Sequence, residues 1–419
     1  MSDWKEYKLG ETLVSANTGL DAIKRAPIVS HDTGIKCLRI QDISQSKSYE
    51  DWGFTEVLDN NFIKFKLLEN DIIVARTGAT VGVNMIVKKN LNSVFNNGLI
   101  RLRAKNEFNS RFVYYILRSN DYWSHINSIA FGTTSQPNIQ INQLLSFKIK
   151  APDFLTQASI AEILSSLDDK IELNNKINQE LESLAQLLFK RWFVDFEFPN
   201  ENGEPYKSFG GEMVDSEMGE IPKGWNVNII ESLTLKMNSG GTPSTRRNDF
   251  YDGNIKWFST KELQDGFLFE SDRKITIEGL NNSSAKLFPS KTVVMAIYAA
   301  PTVGRLGILS EEAAFNQAAL GFVAKEEVGY EFIYLLLKLL RDDLNNLANG
   351  AAQQNLNVGL VKNFKIIYPT NTVLSSFQSI IRPIFKYLYQ NQIESNSLIK
   401  TRDTLLPKLI SGELQINDN

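Results

Sequence analysis

The residues best able to do chemistry are acids. Pro152-Asp153 followed by Asp168-Asp169-Lys170 satisfies the loose Pro-Asp…acid-x-Lys pattern of divalent-metal nucleases. That chemistry needs the carboxylates close enough to share one cation. Here the second part falls inside a stretch with helical periodicity, and the matching Pro369 later in the chain is followed by Thr370. A magnesium-dependent nuclease using Asp153, Asp168 and Lys170 is therefore the weaker alternative. Gly219-Glu-Ile-Pro-Lys-Gly224 has the first spacing of a phosphate loop but runs into Trp225 instead of Lys-Ser/Thr. There is no Asn/Asp-Pro-Pro-aromatic motif of an amino-methyltransferase. His31, His125 and Cys37 are too few for a zinc site, and a single cysteine excludes an internal disulfide framework and fits a reducing cytoplasm. No catalytic residue, no metal ligand and no bound cofactor are expected of this chain.

Recurring polar turns remain. Ala16-Asn17-Thr18-Gly19 with Lys24-Arg25 is answered by Ser239-Gly-Gly-Thr242-Pro-Ser244-Thr245 with Arg246-Arg247. Arg76-Thr77-Gly78-Ala79 is answered by Tyr298-Ala299-Ala300-Pro301 with Arg305. Thr133, Thr134, Gln136 and Asn138 are answered by Gln353, Gln354 and Asn355. Arg reads guanine and Asn or Gln reads adenine through paired hydrogen bonds, while Ser and Thr hold phosphates. These residues are the DNA-binding candidates; the alternative for any one of them is a helix cap or a turn.

Those turns recur because the chain is a tandem duplication. Trp4 is matched by Trp225, the run Asp71–Ala75 by Thr292–Ala296, and Val94-Phe-Asn-Asn97 by Ala314-Phe-Asn-Gln317. Phe112-Val-Tyr-Tyr115 is matched by Phe332-Ile-Tyr-Leu335, and Phe147–Pro152 by Phe364–Pro369. The offsets stay between 217 and 222 residues, so the order is kept. Short β-branched and aromatic runs between Gly, Asn and Pro predict strands, and the Phe112 and Phe332 segments predict amphipathic helices.

After each globular half comes a long helix. Between Gln157 and Phe193 there is no Pro or Gly, and Ile160, Leu164, Leu167, Ile171, Leu181 and Leu188 fall at heptad spacing. A shift of 217 gives Phe377, Ile381, Ile384, Leu388, Leu398 and Leu405. Asn174 and Asn178 interrupt the first stripe where Asn391 and Ser395 interrupt the second. Polar steps at core positions fix register, so these helices are expected to pair antiparallel. The alternative is two ordinary core helices with exposed Asn. Pro383 is expected to kink or shorten the second helix.

The expected fold class is α+β: two similar mixed α/β domains separated by two long antiparallel helices. The first domain spans 1–152, the central helix 153–198, a linker 199–224, the second domain 225–369 and the C-terminal helix 370–419. Net charge is +5 over 1–150, −9 over 151–224, zero over 225–369 and +1 over 370–419. A mildly positive domain can attract phosphates while the acidic segment faces elsewhere. Glu162, Asp168, Asp169, Glu172, Glu180 and Glu182 make the central helix a candidate docking face, or simply a solvated one.

Several blocks resemble the specificity subunit of type I restriction-modification enzymes. They are Leu188-Phe-Lys-Arg-Trp-Phe-Val-Asp-Phe196, Met213–Trp225, Leu405-Leu-Pro-Lys-Leu-Ile-Ser-Gly-Glu-Leu414, Gly240-Gly-Thr-Pro-Ser244 and Ala75-Arg-Thr-Gly78. The resemblance covers essentially the whole chain. It implies two target-recognition domains, each reading half of a split double-stranded DNA site, with the helices docking a pair of methyltransferase subunits. It also implies that S-adenosylmethionine, ATP and magnesium belong to partner subunits, including a restriction subunit that cuts and translocates. An interaction protein that has lost DNA binding is a third alternative.

Overall fold

The structure, a computed structural model, describes residues 4–130, 137–298, 302–349 and 356–416. It divides into two compact units, Met1–Glu172 with Ser395–Asn419, and Leu173–Glu394.

In the first unit, the apolar run Ile72–Ala75 forms a wholly buried strand between Leu99–Ala104 and Asn84–Ile86. Leu13–Thr18 adds an antiparallel edge with a bulge between Leu13 and Ser15. The second unit repeats this sheet: Val293–Ala296 lies between Ala319–Ala324 and Leu306–Leu309, and Thr234–Ser239 forms the bulged edge. The second sheets also correspond. Lys36–Leu38 runs parallel to Ser93–Phe95, as Tyr251–Phe258 runs parallel to Ala314–Phe315. A short antiparallel pair closes each half, Lys5–Lys8 with Lys148–Ala151 and Asn226–Ile229 with Lys365–Tyr368. The Phe112 and Phe332 segments are helices, Ser110–Ile116 and Tyr330–Leu339. Each half is thus a mixed α/β domain.

The long helices are Phe154–Phe193 and Asn371–Ser411. At 1.5 Å per residue each is about 60 Å long. Pro383 neither ends nor shortens the second helix, so the shortening allowed for does not occur. One missing amide is tolerated in a helix whose Phe377, Ile381 and Phe385 are buried on its inner face.

Each unit takes a piece of both helices. In the first, Ile160 and Leu164 share a core with Leu406, Leu409 and Phe112. In the second, Phe189, Trp192 and Phe193 gather round Phe377 at ring distances of 5.9, 5.4 and 4.8 Å. Asn391 Nδ2 donates to Asn178 Oδ1 at 3.0 Å, and Asn174 Nδ2 to Glu394 at 2.8 Å, so the pairing in this unit is antiparallel. Ser395 is buried in the first unit. Replacing Asn178 and Asn391 together by Leu should raise the urea midpoint of the second unit by about 1 kcal/mol of stability. The single Asn391→Leu change should lower it, because Asn178 Oδ1 then loses its donor. An unchanged midpoint for both would mean that the amides contribute nothing to the seam.

Both helices end alike. The Glu197 amide donates to Arg191 O at 2.9 Å and the Leu414 amide to Lys408 O at 3.0 Å, each reaching back six residues to a carbonyl of the last turns. Residues 199–224, read as a linker, contain an ordered hairpin, Met213–Ser216 with Gly219–Pro222. Its Ile221 joins Phe196, Phe198 and Trp225 in the core of the second unit, which is why the segment does not behave as a free tether.

Candidate DNA-recognition surfaces

At the exit of the buried strand Ile72–Ala75 the chain meets two other turns through backbone bonds. The Arg76 amide donates to Gly98 O at 2.8 Å, the Ile139 amide to Arg76 O at 2.9 Å and the Gly78 amide to Pro137 O at 3.0 Å. Arg76 Nε also donates to Ile139 O at 3.0 Å, which fixes the root of the guanidinium; among the described residues its outer nitrogens have no hydrogen-bond acceptor. Thr18 ends the neighbouring edge strand, and the Gly19 and Leu20 amides donate to Leu99 O and Phe95 O. Thr18, Arg76, Thr77 and Asn138 therefore collect at one end of the first sheet. Gly19 must be glycine: a Cβ there would lie 2.1 Å from Phe95 O.

The second unit uses the same bonds. Gly240 and Gly241 amides donate to Ala319 O and Phe315 O, Ile297 to Ala318 O, and Leu356 to Ile297 O. A Cβ on Gly240 would lie 2.1 Å from Phe315 O. The side chains on this frame differ. Ile297 is fully buried where the first unit has the half-buried Arg76. Thr242 hydrogen-bonds Gln317, while Trp257 Nε1 and Tyr251 Oη brace the turn through Gly241 O and Pro243 O. Ser244, Thr245, Arg246 and Tyr298 are exposed, and Arg305 is half-buried at the start of Leu306–Leu309.

Two candidates already have carboxylate partners. Arg25 Nε pairs with Asp21 at 2.6 Å; this bond, with the Lys24 amide, holds the Asp21 carboxyl down to about 2. Arg247 is bidentate on Asp249 and reaches Glu278 at 3.4 Å. Exposed pairs of this kind are weak and can be traded for a phosphate. Lys24 is exposed beside Ile23, which is 84% exposed. Thr133, Thr134, Gln136, Gln353, Gln354 and Asn355 lie outside the described residues.

Sequence reasoning passed over Asn96-Asn97 and Asn316-Gln317, which occupy the same turn in each unit. The Asn96 and Asn316 amides donate to Leu38 O and Phe258 O, their Oδ1 atoms are buried without a partner among the described residues, and Asn97 and Gln317 are exposed. Their recurrence as a pair was the available signal.

The acids of the nuclease pattern are spent elsewhere. Asp153 caps the central helix, accepting from the Thr156 amide at 3.0 Å and its hydroxyl at 2.8 Å, which holds its carboxyl below the usual range. Asp168 accepts from Tyr115 at 2.8 Å, Arg118 at 2.9 Å and Arg402 at 2.7 Å. Fifteen residues of one helix put the two acids about 22 Å apart, too far to share a cation. Among the described residues no group of three or more His, Cys, Asp or Glu could hold a metal.

Four of the six acids proposed as a docking face also serve their own unit. Asp168 is held as above, Lys88 pairs with Asp169 and Glu172, and Lys338 and Tyr334 bind Glu182. Glu162 and Glu180 of that set are exposed on the helix with no ion pair among the described residues. The acidity of the central helix fastens each recognition domain to it.

Comparison with known proteins agrees with this frame. A type I restriction-modification DNA specificity domain model matches residues 1–183 and 222–402. The chain is 28% identical to the HindI specificity subunit of Haemophilus influenzae, covering 99% of this chain and all of that protein. It is 29% identical to the MjaIX specificity subunit of Methanocaldococcus jannaschii over 84% of this chain and 80% of that one. An S subunit from M. genitalium shares the fold, with a TM-score of 0.64 at 16% identity over 99% of this chain and 97% of that one. Among the described residues no helix is long and apolar enough to cross a membrane. Two matched copies of the domain, on the two halves that repeat each other's sheets and turns, place the chain in the family of type I restriction-modification specificity subunits.

Proposed function

We propose that each recognition domain reads one part of a two-part DNA site through the turns gathered at its sheet end. A specificity subunit recognises DNA, assembles with other subunits of its system and is not itself the catalyst. The observation that carries the finer reading is that one set of backbone bonds presents two different sets of side chains. Identical frames give equivalent access to a groove, and different side chains give different sequences. Thr18, Lys24, Arg25, Arg76, Thr77 and Asn138 are assigned to one half-site. Thr242, Ser244, Thr245, Arg246, Arg247, Tyr298 and Arg305 are assigned to the other. The paired helices set half-site separation, and their exposed Leu173, Leu187, Ile380 and Tyr387 support docking of two methyltransferase subunits. S-adenosylmethionine, ATP and magnesium belong on those partners and on the restriction subunit, and a cytoplasmic location follows from that assembly.

The test is a swap of residues 1–152 with those of a relative, followed by mapping of the methylated site in the assembled complex. One half-site should change and the other persist; a change in both would refute modular reading. Within the first domain, Arg76→Ala should weaken specific binding about tenfold to a hundredfold and relax preference at one base pair. Arg76→Lys should not restore it, since a point charge lacks the two-pronged geometry. An equal loss across all sequences would reassign Arg76 to a phosphate.

A further inference from the structure

The duplication has one place where its halves are chemically opposite. In the first unit a cleft between the sheet and the central helix is almost closed, with a volume of about 30 Å³. Its charges match: Lys88 pairs with Asp169 and Glu172, and Arg111 donates to Ser165. The corresponding cleft of the second unit, against the C-terminal helix, is open, with a volume of about 720 Å³.

The sequence offsets explain the difference. Asn70 becomes Lys291, both at positive φ (68° and 65°), so the turn is kept while a cation is added. Ser165 becomes Arg382 and Asp169 becomes Lys386, while Arg111 becomes Glu331. Lys325 is a fourth cation lining the cavity, against two acids there, Glu331 and the exposed Glu326. None of the four forms an ion pair among the described residues. Glu331 lies at the cleft wall, 5% exposed, where burial raises its carboxyl above the usual range against the pull of Arg382 and Lys291. The lining adds Tyr330, Tyr389, Ser290 and Ser310, whose hydroxyl donates to Leu268 O at 2.6 Å.

The cleft does not belong to the recognition turns. Lys291 precedes the strand Val293–Ala296 and Lys325 follows Ala319–Ala324, whereas Tyr298 and Gln317 stand at the other ends of those strands. A gap that like charges cannot close internally is stabilised by an anion from outside. Its volume is that of a small-molecule site, and aromatic walls beside cations suit a ring bearing phosphates.

We propose that this cleft binds a phosphate-bearing small molecule of nucleoside polyphosphate size. Its counterpart in the first unit is nearly closed and charge-matched, so one ligand binds per chain. Isothermal titration of the full chain with ATP, tripolyphosphate and inorganic phosphate tests this at low salt. ATP should bind most tightly, tripolyphosphate next and phosphate least. The variant carrying Lys291→Asn, Arg382→Ser and Lys386→Asp installs the residues of the closed cleft and should weaken ATP at least tenfold. A circular-dichroism melt of that variant confirms that it is folded, and Arg382→Ala alone, an exposed change, should still weaken ATP. Failure to bind any of the three below about 5 mM overturns the proposal. So does undiminished binding by the folded variants, or displacement of ATP by random duplex DNA, which would make the cations backbone contacts.

Discussion

Asp168→Ala is expected to lower the stability of the first unit by about 3 kcal/mol, the cost of removing one partner from a partly buried ionic cluster. The carboxylate, with 20% of its side chain exposed, is shared by Arg118 and Arg402, which are 28% and 14% exposed. It also takes the hydroxyl of Tyr115, a residue 2% exposed. Without it two guanidinium groups face each other and the tyrosine loses its acceptor. Asp168→Asn should fall between the two, since an amide oxygen still accepts from Tyr115 but carries no charge. Urea unfolding measures both. A parent-like midpoint for the alanine variant would show the cluster to be idle. The same variant, assembled with its partner subunits, should retain DNA recognition once folded, because no cation site is lost.

The second large effect is expected at Gly240. Alanine there would place Cβ 2.1 Å from Phe315 O and 2.6 Å from Asn316 O, both backbone atoms that cannot rotate away. The turn from Gly240 to Ser244 must then leave the sheet, at a cost of about 2–4 kcal/mol. Site mapping of the assembled complex should show one half-site lost and the other kept. Gly19→Ala, with Phe95 O at 2.1 Å, should produce the mirror result. If either variant erased both half-sites, recognition would not be divided between the domains.

Much of this architecture was legible because duplication writes each signal twice. The matched Phe-Asn pairs, the turns Thr80-Val-Gly82 and Thr302-Val-Gly304 and the shifted heptads specify the same strands, turns and helices by local pattern, and local pattern is what sequence shows best. Partner choice was not legible. Asp168 meets Arg402 across 234 residues and Glu182 meets Tyr334 across 152, so the acids read as a free face when they are fasteners. Nor did the sequence spacing show that Arg247, a DNA-binding candidate, pairs with Asp249 two residues on. The hairpin Met213–Pro222 was hidden by its Gly and acidic content, because what orders it is the burial of Ile221 beside Trp225.

The unequal continuity of the two units bears on biosynthesis. The second is built from one unbroken stretch, Leu173–Glu394, whereas the first needs Met1–Glu172 together with Ser395–Asn419. On the ribosome the domain encoded second therefore acquires all its parts first. The domain encoded first must wait with Ile160 and Leu164 uncovered until Leu406 and Leu409 emerge. A stop codon after Glu394 would spare the later-coded domain and strand the earlier one, an inversion of the usual rule that truncation harms what lies nearest the cut.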